Sequence, residues 1–350
     1  MIMFILIRFI GMVVVSWSVT YLLTPHMISI ARTLRIVDTP DNHLKQHINP
    51  TPYLGGVAVY AGFITALALL FPVANELFFV IVGATLLLFV GLIDDLLVLS
   101  PQRKFFGHMI AAFCFLRGGF YLKGFFLLSC YPNIVAYGWI ILSWLWIVTI
   151  INAFNLIDVM DGLATTIALA IATALLCIAC MTGAYHVVLL MGALIGALIA
   201  FLAFNKPLAQ IYLGDSGSLF IGGLLSVAPF MVPWGLFHPY AFLAPLGLFF
   251  IPLMEVGMLI IVRYLKGIPF YRGSPDHFSL YLKRRGWKIF EILLFSISTT
   301  MILLLATIFF IRGWFSVVQS LVVLFLLGIT WVFLIFKEEI FPYFIKTVIK

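Results

Sequence analysis

Long apolar runs alternate with short polar breaks along the whole chain. Eleven runs stand out, with approximate cores at 3–24, 53–72, 77–93, 104–121, 136–153, 162–182, 187–204, 217–233, 240–262, 289–311 and 315–336. A helix needs roughly 17–25 mainly apolar residues to cross about 30 Å of hydrocarbon. No stretch between the runs is large enough to fold alone. The pattern therefore predicts an all-α, polytopic integral membrane protein of about 11 transmembrane helices, organised as one domain over 1–350. The first run passes into polar sequence without a small-residue cleavage site, which marks it as a permanent helix and not a removed signal.

Composition and charge sharpen this picture. Of 350 residues, 64% are hydrophobic and 9% charged, far from the balance of soluble domains. Lys and Arg concentrate in short cytoplasmic loops of membrane proteins. One set of breaks carries Arg32, Arg35, Lys45, Arg103, Lys104, Lys206, Arg263, Lys266, Arg272, Lys283, Arg284, Arg285, Lys288, Lys337, Lys346 and Lys350; the other holds Arg117, Lys123 and Arg312, with Arg8 near the start. This asymmetry predicts an external amino terminus and a cytoplasmic carboxyl terminus. The net charge of +7 then reflects topology, on the face where anionic headgroups attract basic loops, and gives no reason to expect a nucleic acid. The cysteines Cys114, Cys130, Cys177 and Cys180 lie mostly in apolar runs, and the CxxC at 177–180 has no partner pair, so no redox or metal role is expected of it.

The acids carry the chemistry. Asp94 and Asp95 close the third run in VGLIDDLLVLSPQRK, Asp158 and Asp161 follow the fifth in NAFNLIDVMDGLA, Asp215 opens the eighth in YLGDSGSLFIGG, and Glu255 lies within the ninth. Singly, each is an ordinary helix-end residue, and Asp215 suits an amino-terminal cap. Together the five aspartates share the cytoplasmic edge. They would repel one another unless a cation or basic side chains lay between them, and hard oxygen donors suit Mg2+ or Mn2+. The three-residue spacing of Asp158 and Asp161 predicts one helical face, with Asn155 a turn earlier adding a neutral oxygen. Lys104 lies nine residues after Asp95, and KGIPFYRGSPDHFSLYLKRRGWK sets six Lys or Arg around a histidine. The helix starting at GDSGS is expected to offer free backbone N–H groups to an anion. Carboxylates, metal and cations together suggest phosphoryl transfer. The competing reading is a secondary transporter, whose acids mark an ion pathway.

Five motifs in order, KQHINPTPYLGG (45–56), GLIDD with Lys104, NAFNLIDVMDGLA (152–164), GDSGSLFIG (214–222) and PLMEVGMLIIVRYLKGIPF (252–270), make the chain similar to the polyprenyl-phosphate N-acetylhexosamine-1-phosphate transferase family. The resemblance extends to about residue 288. It implies transfer of a sugar phosphate from a UDP-sugar, UDP-GlcNAc foremost, to undecaprenyl phosphate, with release of UMP. It also implies a multi-pass protein of the bacterial inner membrane with a cytoplasmic-face active site, in contact with membrane lipids and with a homodimer left open.

Residue by residue, the resemblance implies catalytic roles for Asp94 and Asp95 near the lipid phosphate, and for Asp158 and Asp161 as the acidic pair of the NxxNLxDxxDG motif. Asp215 with Asn155 would bind the metal, and Lys104, Asn152 and His277 the substrates. Whether an aspartate acts as base or covalent nucleophile stays open at this point. Two departures bear on the sugar: HFSL at 277–280 replaces the HxHH of many bacterial members, and LKQH, with Leu44, replaces RKxH. The PxHHHxE segment of the branch that takes UDP-MurNAc-pentapeptide is absent, which points to another envelope glycan, such as an O-antigen or teichoic acid.

Overall fold

A computed structural model describes residues 2–38, 50–71, 75–122, 132–269 and 271–336. Lys45 with the front of KQHINPTPYLGG, Lys123, Cys130 and the cations at 337, 346 and 350 lie outside the described residues. The helices are α1 (Ile2–Thr33), α2 (Gly55–Leu70), α3 (Asn75–Leu97), α4 (Pro101–Arg117), α5 (Pro132–Ile157), α6 (Leu163–Thr182), α7 (Tyr185–Asn205), α8 (Gly214–Val227), α9 (Pro245–Leu248), α10 (Phe250–Leu265), α11 (Phe278–Arg284), α12 (Ile289–Ile311) and α13 (Val317–Trp331). Two-residue strands β1 (Val37–Asp38) and β2 (Thr51–Pro52) pair antiparallel.

The protein is an all-α, multi-pass membrane protein. Every one of the eleven apolar runs holds a helix. Among the described residues, eight helices are long and apolar enough to cross a membrane, or nine if the pair Ala241–Leu248 and Phe250–Leu265, bent by 67°, forms one span. Pro245 and Gly247 precede that bend and Pro252 follows it, and such residues break the hydrogen-bond ladder of a helix. At 16 residues, α2 is shorter, reaching about 24 Å at 1.5 Å per residue. At 17 residues, α4 is short too, and its amino-terminal half is polar.

Burial ranks the helices. In α7, 78% of the apolar window lies inside the protein, against 11% in α13. Helices α6, α7 and α8 thus form the centre, while α13 and α1 present most of their surface outward. Around that centre α1 packs on α2 and α7, α3 on α4 and α8, α5 on α8 and α10, and α6 on α7 and α12. Lipid is as apolar as leucine, so close contact between membrane helices depends on small residues. A methyl group on Gly91 of α3 would lie 2.3 Å from the carbonyl carbon of Asp215, and one on Gly56 of α2 would lie 2.1 Å from the backbone nitrogen of Gly217. The start of α8 therefore touches the backbones of both α2 and α3.

Candidate active site

Four helix ends meet where α8 begins. The carboxyl-terminal turns of α3 bring Asp94 and Asp95. After a three-residue link, α4 starts at Pro101 behind Ser100, whose hydroxyl accepts from the Arg103 amide, and brings Lys104. Helix α5 brings Asn155 in its last turn, and α8 brings Asp215 in its first. Here Asp215 lies within α8 and not at the capping position before it, which Leu213 occupies.

The Lys104 ammonium is the hub. It donates to Asp94 Oδ2 at 2.8 Å, to Asn155 Oδ1 at 2.9 Å and to Asp215 Oδ2, so its three protons have three acceptors. The Asn155 amide nitrogen donates in turn to Asp215 Oδ1 at 2.5 Å and to Ser218 Oγ at 3.2 Å. Asp94 Oδ1 accepts from the Leu99 amide at 2.5 Å, across a turn in which the exposed Val98 has a φ of +52°. A β-branched residue rarely adopts that conformation, and the Asp94 carboxylate and carbonyl brace it from one side.

Asp95 turns the other way. Its two oxygens accept from the backbone amides of Asp215 at 2.8 Å and Ser216 at 3.1 Å. The free N–H groups expected at GDSGS are therefore not free: a carboxylate from the neighbouring helix fills the place of a phosphate, favoured there by the positive end of the helix. Gly214 makes this possible. Its φ is +72°, and a methyl group on it would sit 2.8 Å from Asp95 Oδ2.

The second acidic pair differs from the helical face its spacing predicts. Helix α5 ends at Ile157, and 158–162 form a turn that closes at Gly162, φ +71°. Asp161 accepts from the amides of Leu208 and Ala209, both at 3.1 Å, and so braces the loop leading to α8. Asp158 makes no hydrogen bond among the described residues. Burial, and then the nearby charges of Asp215, Asp95 and Asp161, push its carboxyl well above the usual carboxylate range. A raised folded-state pKa contributes stability fully below the unfolded value, about 3.9, and the contribution is lost as pH rises through the folded value. In chelator-treated detergent solution, Asp158→Asn should therefore melt above wild type at pH 7.5 and level with it near pH 4. Parallel thermal melts check this, and equal curves at both pH values would place Asp158 in a more watery setting.

Other residues expected from sequence lie apart. Asn152 is exposed on α5 and makes no hydrogen bond among the described residues. His277 is buried, with Nδ1 2.7 Å from Glu255 Oε1, and the Phe278 amide donates to Glu255 Oε2 at 3.3 Å. Around it, Lys266 and the Tyr281 hydroxyl each donate to Asp276 Oδ1 at 2.7 Å, and Arg263 donates to Ser274 at 3.0 Å. Burial raises the Asp276 carboxyl, but the bonds from Lys266 and Tyr281 outweigh it and hold the group below the usual range. The basic loop is thus a strap tied to α10 through Glu255, an acid that sequence reading left without a role. Tyr53 and Tyr212, also missed, stand with ring centres 6.1 Å apart. Burial and the nearby Asp161, Asp38 and Asp158 push the Tyr212 hydroxyl up to about 12. Their only signal in sequence was place, Tyr53 inside KQHINPTPYLGG and Tyr212 two residues before GDSGSLFIG.

Could this site take a divalent cation? Among the described residues, no three His, Cys, Asp or Glu side chains converge at metal-ligand spacing. The donor chemistry nonetheless fits. Asp94 and Asp215 set two carboxylates on one ammonium and against each other, with Asp95 within electrostatic reach, leaving an excess of negative charge on hard oxygen donors. Both proposed metal donors, Asp215 and Asn155, bond to Lys104 here, so a metal ion and the ammonium would share them.

Residues 77–232 match the model for Glycosyl transferase family 4, a span running from α3 to just past α8. A probable undecaprenyl-phosphate N-acetylglucosaminyl 1-phosphate transferase of Bacillus subtilis is 28% identical over 275 residues, covering 78% of this chain and 76% of that protein. A phospho-N-acetylmuramoyl-pentapeptide-transferase of Listeria monocytogenes is 29% identical over 279 residues, 73% and 82% of the two chains. A decaprenyl-phosphate N-acetylglucosaminephosphotransferase of Mycobacterium tuberculosis is 28% identical over 298 residues, 75% and 72%. The chain is therefore similar to polyprenyl-phosphate N-acetylhexosamine-1-phosphate transferases, and its residues 77–232 match the glycosyl transferase family 4 model.

Proposed function

We propose that this protein transfers N-acetylhexosamine-1-phosphate from a UDP-sugar, UDP-GlcNAc foremost, to undecaprenyl phosphate on the cytoplasmic face of the bacterial inner membrane, beginning an envelope polysaccharide. The observation that carries this reading is Lys104 held by Asp94, Asn155 and Asp215, a charged cluster at helix ends where a lipid phosphate and a soluble nucleotide can meet. Acids at helix ends do not favour transport, for which mid-membrane sites are usual. The excess of Lys and Arg in the loops on this side supports a cytoplasmic orientation. The choice of UDP-GlcNAc over UDP-MurNAc-pentapeptide rests on the missing PxHHHxE segment.

A phosphate monoester has a second pKa near 6 and is mostly dianionic at pH 7. The main barrier is then the approach of one anion to another, and not removal of a proton. An oxygen of the lipid phosphate attacks the β-phosphorus of the UDP-sugar, and the bond from that phosphorus to the bridging oxygen breaks, its electron pair leaving on UMP. Lys104 neutralises the incoming phosphate, Asp94 takes any residual proton and orders the ammonium, and Asp95 fixes the start of α8. When bound at Asp215 and Asn155, Mg2+ or Mn2+ supplies charge neutralisation for the diphosphate.

The test is UMP release by purified protein with Mg2+, undecaprenyl phosphate and each of UDP-GlcNAc, UDP-GalNAc and UDP-MurNAc-pentapeptide. UMP is expected with UDP-GlcNAc and only when the lipid is present. Turnover confined to the pentapeptide substrate would overturn the sugar, and absence of UMP with all three would overturn the reaction. Exchange of labelled UMP into UDP-sugar without lipid would replace single displacement by a covalent aspartyl phosphate route.

A further inference from the structure

His108 lies one turn beyond Lys104 on α4, and so on the same face of that helix. It is 2% exposed, and neither ring nitrogen has a hydrogen-bond partner among the described residues. The ring nevertheless lies within electrostatic reach of Lys104 and Asp94. Its companions on the buried face, Gly107, Ala111, Ala112 and Phe115, offer it no polar side chain.

An imidazole always presents a donor or an acceptor, and burying one without a partner is costly. Leucine or methionine would fill the same space free of that cost. A polar group kept against its own packing, at the base of a charged cluster, takes its partner from outside the chain. We infer that His108 is a positioning residue for the transfer, hydrogen-bonding through an intervening water molecule to the Asp94 carboxylate and so holding that acid, and the ammonium bonded to it, in line for the lipid phosphate. This rests on the transferase reading above.

The experiment compares His108→Leu, His108→Met and His108→Gln with wild type in UMP release and thermal unfolding. The two apolar variants should melt near the wild-type temperature, because the ring has no direct partner among the described residues to lose. Their kcat should fall about 10–100-fold, with KM for the UDP-sugar within about twofold, as expected when alignment and not ground-state binding is lost. His108→Gln, which keeps a donor and an acceptor, should recover most of kcat. Should Leu fail to fold, the more pliable Met carries the comparison. Apolar variants within twofold of wild-type kcat would overturn the inference alone, as would a Gln variant no better than the apolar ones, which marks a role in packing. Wild-type protein that releases no UMP overturns the transferase reading, and this inference with it.

Discussion

Lys104→Met and Asp215→Asn should each lower UMP release by about 10²–10³-fold, the range for removing one preorganised charge stabiliser, while the protein still folds. Lys104 is bonded to three partners on α3, α5 and α8. Without its ammonium, the Asp94 and Asp215 carboxylates face each other uncompensated and repel the anionic substrates as well. Lys104→Arg should rescue little, since a planar guanidinium cannot send three protons to three converging acceptors as an ammonium does. Asp215→Asn keeps the shape but removes one anionic donor, so added Mg2+ should not restore the rate. Steady-state kinetics over a Mg2+ titration, beside thermal melts, checks both variants. A Lys104→Met enzyme retaining a tenth of wild-type activity would sink the central role assigned to this residue.

The adjacent acids should respond in opposite ways. Asp94→Asn should lose about 10²–10⁴ in kcat, the usual range for an acid–base group, with little loss of stability, because the Leu99 amide can still bond to the remaining oxygen and the long Lys104 side chain can turn from the new NH2 while keeping Asn155 and Asp215. Asp95→Asn should lose stability and activity together. Both Asp95 oxygens accept from backbone N–H groups at the start of α8, and an asparagine would turn an NH2 toward one of them. A donor facing a donor in a buried place costs about 1–3 kcal/mol, and the displaced helix start carries Asp215 with it. Melting curves with kcat for the two variants settle the assignment, and a stable, inactive Asp95→Asn would show that the roles are exchanged.

The helices were legible because hydrocarbon thickness imposes a run length that no soluble pattern mimics. Acids stood out for a similar reason, as charges placed at the ends of such runs. What the sequence hid was direction. The residue type of Asp95 does not reveal that its partners are main-chain amides 120 and 121 positions away, where a free anion site was expected. The three-residue spacing of Asp158 and Asp161 suggested a helical face, but α5 ends at Ile157 and both lie in the turn that follows. Asn152 and Asn155 share a helix, yet three residues fall about 60° short of a turn, enough to expose the first while the second meets Lys104. A single histidine in an apolar run, His108, gives no signal until the partners of its ring are counted.

Because α8 meets α3 backbone to backbone at Gly91, no intervening side chain can act as a hinge between them. Membranes differ in thickness by several ångströms, and spanning helices accommodate by tilting. Here α3 and α8 must tilt as one body, so the aspartates they carry keep their spacing whatever bilayer surrounds them. Adjustment is expected instead in the bent α9–α10 pair and the outward-facing α13, with the spacing of Asp94 and Asp95 from Asp215 kept as bilayer thickness changes.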